Sequence, residues 1–236
     1  MTQNDTQQDT WKQLAGKAAA ELVEESMVVG LGTGSTAAHF IRALAQRIQD
    51  GLRIVGAIPS SQASKTLANT LGIPITDLDT HPFLDLYIDG ADEIDDALRM
   101  IKGGGGALLR EKIVASSSRR FVVIADISKQ VTQLGHKFPI PVETVPFAAT
   151  PVRKRLEALG ANVQVRRVAG KVFITENYNL TLDCAFPDGI VNPTELDARM
   201  HSIVGIVETG LFLNMAECAL IGGPEGVKVL KSSFPH

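Results

Sequence analysis

Short apolar runs alternate with helical patterns from residue 11 to about residue 128. "SMVVGLG" leads into "STAAHFIRALAQRI", and "LRIVGAI" leads into "SSQASKTLANTLG", which stops at Gly72, a residue suited to the left-handed position just past a helix. "FLDLYID" precedes four consecutive glycines and the helical stretch "ALLREKIVASSS"; "RFVVIAD" follows. Strands of a parallel sheet are covered on both faces, so they read as continuous apolar runs separated by helices. The pattern predicts an α/β protein with a Rossmann-like open parallel sheet.

From about residue 134 the rhythm changes. "FPIPVETV" reads as a strand, "TPVRKRLEALG" as a helix with proline at its start, "ANVQVRR" and "YNLTLDCAF" as two strands. "NPTELDARMHSI" is a further helix and "IVETGLF" a further strand. The order β-α-β-β-α-β is that of a small ferredoxin-like α+β unit. "ECALIGGPEGVKVL" then returns to short buried strands that can rejoin the first sheet. The expected organisation is a catalytic α/β domain of residues 1–133 plus 208–236, with an inserted ferredoxin-like subdomain at 134–207.

Composition narrows the classes. With 236 residues, 44% hydrophobic and 21% charged, the chain has the make-up of an ordinary soluble globular protein. A net charge of -3 argues against a nucleic-acid surface, which needs a basic patch. No apolar run is long enough for a membrane span, and the polar start "MTQNDTQQDTWKQ" lacks the features of a secretory signal. Cys184 and Cys218 stand far apart without CxxC spacing, and the five histidines form no HExxH pattern, so neither a disulfide framework nor a zinc site is indicated. A reducing cytoplasm is the expected location.

In an open parallel sheet, ligands bind beyond the carboxyl ends of the strands, and the unusual residues of this chain fall at such junctions. "GLGTGST" supplies free amides, hydroxyls and a helix start, which suit an anion; an ordinary turn with Ser35 or Thr36 as N-cap explains it equally well. The dinucleotide fingerprint would need glycine at Ser35, which disfavours a nicotinamide-dependent oxidoreductase, and no Gly-Lys pair makes a Walker A loop. "DGADEIDD" packs five acids into eight residues but lacks EF-hand spacing. Such a run is usually a solvated acidic turn; position at the strand end favours Asp89 and Asp92 as ligand-facing instead, with Asp95 and Asp96 solvated. If residues 107–118 are helical, Glu111 has Ala107, Leu108, Val114 and Ala115 as its i±3 and i±4 neighbours. A carboxylate flanked by such groups is partly desolvated and suits a general base, although a surface glutamate fits the pattern too. Lys102 stands where it could stabilise an anion, or is simply an exposed lysine.

"GLGTGSTAAHF", "YIDGADEID", "IKGGGGALLREKIVAS" and "IADISKQV", continued by "KFPIPVE", "GIVETGLF" and "ALIGGPEGVKVL", occur in the order and approximate spacing of type A ribose-5-phosphate isomerase, and the chain resembles that family over nearly its whole length. The resemblance implies interconversion of ribose 5-phosphate and ribulose 5-phosphate without metal or organic cofactor. It implies catalytic roles for Glu111 as general base, Lys102, Asp89 and Asp92. It further implies substrate contacts from Thr33, Gly34, Ser35 and Thr36, from Asp89, Gly90, Ala91 and Asp92, from Lys102, Gly103, Gly104 and Gly105, and from Lys129. A sugar phosphate is the expected partner, with no nucleic acid or membrane, and the assembly a homodimer or tetramer. Gly106 stands where alanine is common in the family, a departure expected to add flexibility. Competing readings are a sugar-phosphate deaminase or coenzyme A transferase on a related scaffold, and a non-catalytic sugar-phosphate sensor, which would need an output domain.

Overall fold

The computed structural model describes residues 3–231, with side chains from residue 6 onward. Residues 1, 2 and 232–236, which the expected catalytic domain includes, lie outside the described residues. The described residues divide into two compact units, the first built from residues up to Ala91, Arg110–Gln130 and the chain from Met215 on, the second from Asp92–Leu109 and Val131–Asn214.

The polar start of the chain, which reads as a tail leading into a helix, is helical from its first described residue, in α1 (Gln3–Ala20). Ala15, Ala19 and Ala20 are buried, and at Gly16 an added Cβ would lie 2.7 Å from the Phe40 backbone nitrogen. Small residues thus let α1 press against α2 (Ser35–Gln49), which buries Phe40, Ile41 and Leu44 on one side. Each such side chain contributes about 1.5–3 kcal/mol by leaving water. Between these helices runs β1 (Val28–Leu31), buried throughout. β2 (Gly56–Pro59) and α3 (Gln62–Thr70) follow, the helix capped by Ser61 Oγ, which accepts the Ser64 amide, and ending before Gly72 at φ 74 as expected. Next come β3 (Leu86–Asp89), the short β4 (Glu93–Ile94) and β5 (Met100–Ile101), then α4 (Leu108–Ser116) and β6 (Phe121–Asp126).

The first unit's sheet has the order β15-β14-β6-β3-β1-β2, where β14 (Cys218–Gly223) and β15 (Gly226–Lys231) are the final hairpin. All neighbours are parallel except that hairpin. The backbone at 74–76 covers the outer edge of β2, with Ala57 donating to Pro74 and accepting from Thr76. The opposite edge is β15, which carries exposed Lys228 and Lys231.

The second unit holds β7 (Ile140–Thr144), α5 (Ala149–Ala158), β8 (Asn162–Val165), a small hairpin of β9 (Arg167–Val168) and β10 (Lys171–Val172), β11 (Leu180–Ala185), α6 (Pro193–His201) and β12 (Ile206–Thr209). Its antiparallel sheet runs β12-β7-β11-β8, and its main elements follow the β-α-β-β-α-β order expected of a ferredoxin-like unit, with the β9–β10 hairpin added. Val152, Leu156 and Met200 from the two helices pack with Ile140, Val142, Leu182 and Cys184 from the strands. "IVETGLF" is two strands rather than one. Gly210, whose amide donates to Pro141 and where an added Cβ would lie 2.4 Å from the Lys102 carbonyl oxygen, separates β12 from β13 (Leu211–Phe212), which pairs with β5 instead. That pairing places segment 92–109 in this unit, whereas the sequence reading assigns it to the catalytic domain.

Candidate active site

The chain steps from β1 outward to β2 and then back to β3 on the other side of β1, so the winding direction reverses between β1 and β3. Neighbouring loops diverge at such a point and leave a crevice at the strands' carboxyl ends. Residues 32–36 and 89–90 emerge there. Asp89 is wholly buried: Oδ1 accepts the Thr33 amide at 2.9 Å and the Gly90 amide at 2.6 Å, and Oδ2 accepts the Tyr87 hydroxyl at 2.5 Å. Glycine is required at 32 because a Cβ there would sit 2.2 Å from Asp89 Oδ1. The Thr33 hydroxyl lies 2.9 Å from both Ser60 Oγ and Ser61 Oγ, and Ser64 Oγ donates to the Gly32 carbonyl at 2.6 Å.

The N-cap of α2 is Gly34, at φ 101 and without a side-chain cap bond, so neither Ser35 nor Thr36 plays that part. The first-turn amides of α2 therefore have no capping side chain, and Gly34 and Ser35 are exposed while Thr36 is buried. A helix start of this kind favours an anion through its free amides and the positive end of its dipole. Lys129 closes the short turn Ile127–Lys129 after β6 and is partly exposed.

Alternation along β3 turns Tyr87 and Asp89 to one face and Leu86 and Ile88 to the other, where they join the core beneath the helices α1, α2 and α3. Tyr87 stacks on Phe121 with ring centroids 4.9 Å apart. Burial first, then the negative charges of Asp89 and Glu111, hold its phenol well above the ordinary value of 10.0, so it remains a neutral donor. Glu111, in the first turn of α4, is 4% exposed. The helix spans 108–116 rather than 107–118, but Leu108, Val114 and Ala115 within it and Ala107 just before it are all buried, so the desolvated reading holds and the surface reading does not.

In the second unit Lys102 is also buried, at 3% exposure. Its amide donates to the Gly210 carbonyl at 2.9 Å, and its Nζ stands 5.3 Å from the centre of the Phe212 ring. Asp92 is half-buried, and its Oδ2 accepts the Gly104 amide at 2.7 Å. Gly103 and Gly106 take φ values of 100 and 82, which only glycine adopts readily, while Gly104 and Gly105 are exposed. Gly106 does not loosen the loop. The Phe173 ring fills the space its side chain would take, with Cζ 2.3 Å from the Cβ position.

The acidic run divides differently from expectation. Asp95 is buried, accepting the Ala97 and Arg99 amides and pairing with the Arg99 guanidinium at 2.6 Å; Asp96 alone of the two is exposed. Glu93, fully buried, accepts amides from Gly135, Lys137 and Phe138 and so ties down that loop. Sequence reasoning also passes over Tyr87, Ser60, Ser61, Ser64 and Arg166. The "PSS" triplet after the second predicted strand is a usable signal for the serines; Arg166, one of two adjacent arginines just past an alternating strand, offers none.

The structure thus gathers Thr33, Gly34, Ser35, Thr36, Asp89 and Gly90 at the switch point of the first unit. It gathers Asp92, Lys102, Gly103, Gly104 and Gly105 in the second, and Ala91 is the last residue before that unit begins. The family model for ribose 5-phosphate isomerase A (phosphoriboisomerase A) matches residues 56–226. Ribose-5-phosphate isomerase A of Bacillus mycoides is 49% identical over 92% of this chain and 97% of its own, and that of Synechococcus sp. 49% identical over 95% and 98%. Among solved structures, ribose 5-phosphate isomerase A of Methanocaldococcus jannaschii superposes with a TM-score of 0.89 at 42% identity, covering 94% of this chain and 98% of that one. A D-ribose-5-phosphate isomerase in complex with phospho-erythronic acid superposes at 0.91 with 37% identity, covering 94% and 98%. By sequence and by fold together, the chain belongs to the ribose-5-phosphate isomerase A family.

Proposed function

We propose that this chain interconverts D-ribose 5-phosphate and D-ribulose 5-phosphate, the aldose–ketose step of the non-oxidative pentose phosphate pathway, through an enediolate. The observation that carries the reaction is the relatedness at 49% identity along almost the entire chain. What supports the mechanism is the burial of Glu111 among apolar neighbours at a helix start. Glu111 removes the proton from C2 of the open-chain aldose, and the electron pair moves onto the C1 carbonyl oxygen. The same carboxylic acid then delivers the proton to C1 while a hydroxyl proton passes from O2 to O1, so the reaction balances without an external acceptor. Lys102 and the glycine-loop amides stabilise the negative oxygen as it develops.

Of the two aspartates, Asp92 retains exposure whereas Asp89 has its oxygens occupied by Thr33, Gly90 and Tyr87. We therefore assign ring opening and hydroxyl proton exchange to Asp92, and the holding of the 33–36 loop to Asp89. That loop and Lys129 are assigned to the substrate's phosphate and sugar oxygens. The enzyme is read as cytoplasmic and homo-oligomeric.

The test is to incubate the protein with ribose 5-phosphate and excess chelator and follow ketose formation. Turnover is expected; its absence, or its loss on adding the chelator, overturns the reading. Glu111→Gln is expected to lower kcat by on the order of 10²–10⁴ while leaving fold and KM in place. Asp92→Asn is expected to slow the furanose substrate while keeping the melting temperature, and near-normal rates in either variant would remove that residue from its role.

A further inference from the structure

Arg166 lies at the end of β8, and its side chain is only 11% exposed. Its Nε donates to Asp183 Oδ2 at 3.0 Å and its Nη2 to Asp183 Oδ1 at 2.5 Å, a two-point pairing that fixes the plane of the guanidinium. The remaining nitrogen, Nη1, donates to two successive backbone carbonyls of the glycine loop, Gly103 at 2.7 Å and Gly104 at 3.1 Å. In a planar trans peptide the C=O and the following N–H point in opposite directions. Drawing both carbonyls toward Arg166 therefore turns the amides of Gly104 and Gly105 to the other side. The Gly104 amide on that side meets Asp92 Oδ2 at 2.7 Å, and Gly105 is exposed. The Gly103 carbonyl also accepts the Gly106 amide at 2.9 Å, so Arg166 adds its hold to a turn whose 104–105 peptide two glycines would otherwise leave loose.

We infer that Arg166, clamped by Asp183, is a positioning residue: it sets the peptide planes of residues 103–105 so that the Gly105 amide stands as a ready donor on the face that carries Asp92. Preset donors of this kind stabilise a developing oxyanion because they need no reorganisation when the charge appears. The inference rests on the reading of the glycine loop as part of the substrate site. It gives Arg166 and Asp183 a part in turnover without either touching substrate.

Three measurements on R166A test it: steady-state kinetics with ribose 5-phosphate, the same kinetics with millimolar ethylguanidinium added, and amide hydrogen exchange at Gly104 by NMR. The expected kcat is lower by on the order of 100-fold, comparable to loss of one oxyanion donor. KM is expected to stay within about threefold of wild type. Ethylguanidinium should restore part of the rate, and Gly104 exchange should quicken by at least about tenfold. Wild-type kcat with unchanged exchange overturns the inference. So does a joint collapse of kcat, KM and melting temperature that ethylguanidinium does not relieve, since that marks a merely structural residue. If R166A does not fold, R166K carries the test, because one ammonium cannot hold Asp183 and both carbonyls together; a kcat at least about tenfold down is expected, and a wild-type value overturns. Should the wild-type protein fail to turn over ribose 5-phosphate, the functional reading falls, while Gly104 exchange still decides whether Arg166 holds the loop.

Discussion

A single methyl group at position 106 has no room. The left-handed backbone would cost an alanine there about 1–2 kcal/mol, and the Phe173 ring already occupies the Cβ position. Gly106→Ala is therefore expected to lower the unfolding free energy by at least that amount in urea titrations, and Gly106→Ala with Phe173→Val to recover the part due to the ring while the backbone cost stays; additive losses would show that the two positions are not coupled. The pairing explains why the sequence reading misjudged this glycine: flexibility is the default inference when the residue that fills the gap lies 67 positions away (173 minus 106). Distance in sequence separates the legible residues from the others. The environment of Glu111 was legible because its neighbours lie within one helical turn. Glu93, held by amides 42 to 45 residues on, and Arg166, bonded 62 and 63 residues back, present locally as ordinary surface charges. Asp95 misled for a different reason: its partner Arg99 is close, but nothing local reveals that the turn between them is buried.

Among the elements, those with sustained pattern were foreseen in type and order. The two-residue strands β4, β5, β9, β10 and β13 were not, because two residues carry no period to read. Within the predicted strands, alternation also determines which polar groups are sealed in. Tyr87 in β3 and Cys184 in β11 face the interior, and burial pushes both acids above their ordinary values of 10.0 and 9.0. In the unfolded chain these groups ionise near those values, while in the native strands they stay protonated. Above that range the unfolded state binds fewer protons, so stability is full below pH 9.0 and declines as pH rises beyond it. Urea midpoints across an alkaline series should follow that decline, and midpoints level from about pH 8 to 11 would contradict it. The same burial predicts slow reaction of Cys184 with thiol reagents until the protein unfolds.

For the whole molecule, the parallel sheet and the inserted antiparallel unit were both legible, since each follows from the order of elements. What the order does not reveal is which surfaces the fold leaves uncovered. Phe147 is 99% exposed and Val204 84%, in segments joined by the hydrogen bond from the Val145 amide to the Gly205 carbonyl. Exposed apolar groups of this size suit contact between copies. Light scattering is expected to return twice or four times the 25.3 kDa chain mass, and Phe147→Glu to shift it downward; a single-chain mass for the wild type would overturn this. Any such assembly is constrained by the margins of the six-stranded sheet, where the 74–76 backbone covers β2 and lysines line β15. Covered at β2 and charged at β15, this sheet disfavours extension by a strand from another copy and favours contact through side chains such as Phe147. Contacts made through such side chains would let copies part and exchange without melting a strand, while the charges on β15 guard its outer edge against another chain's strand.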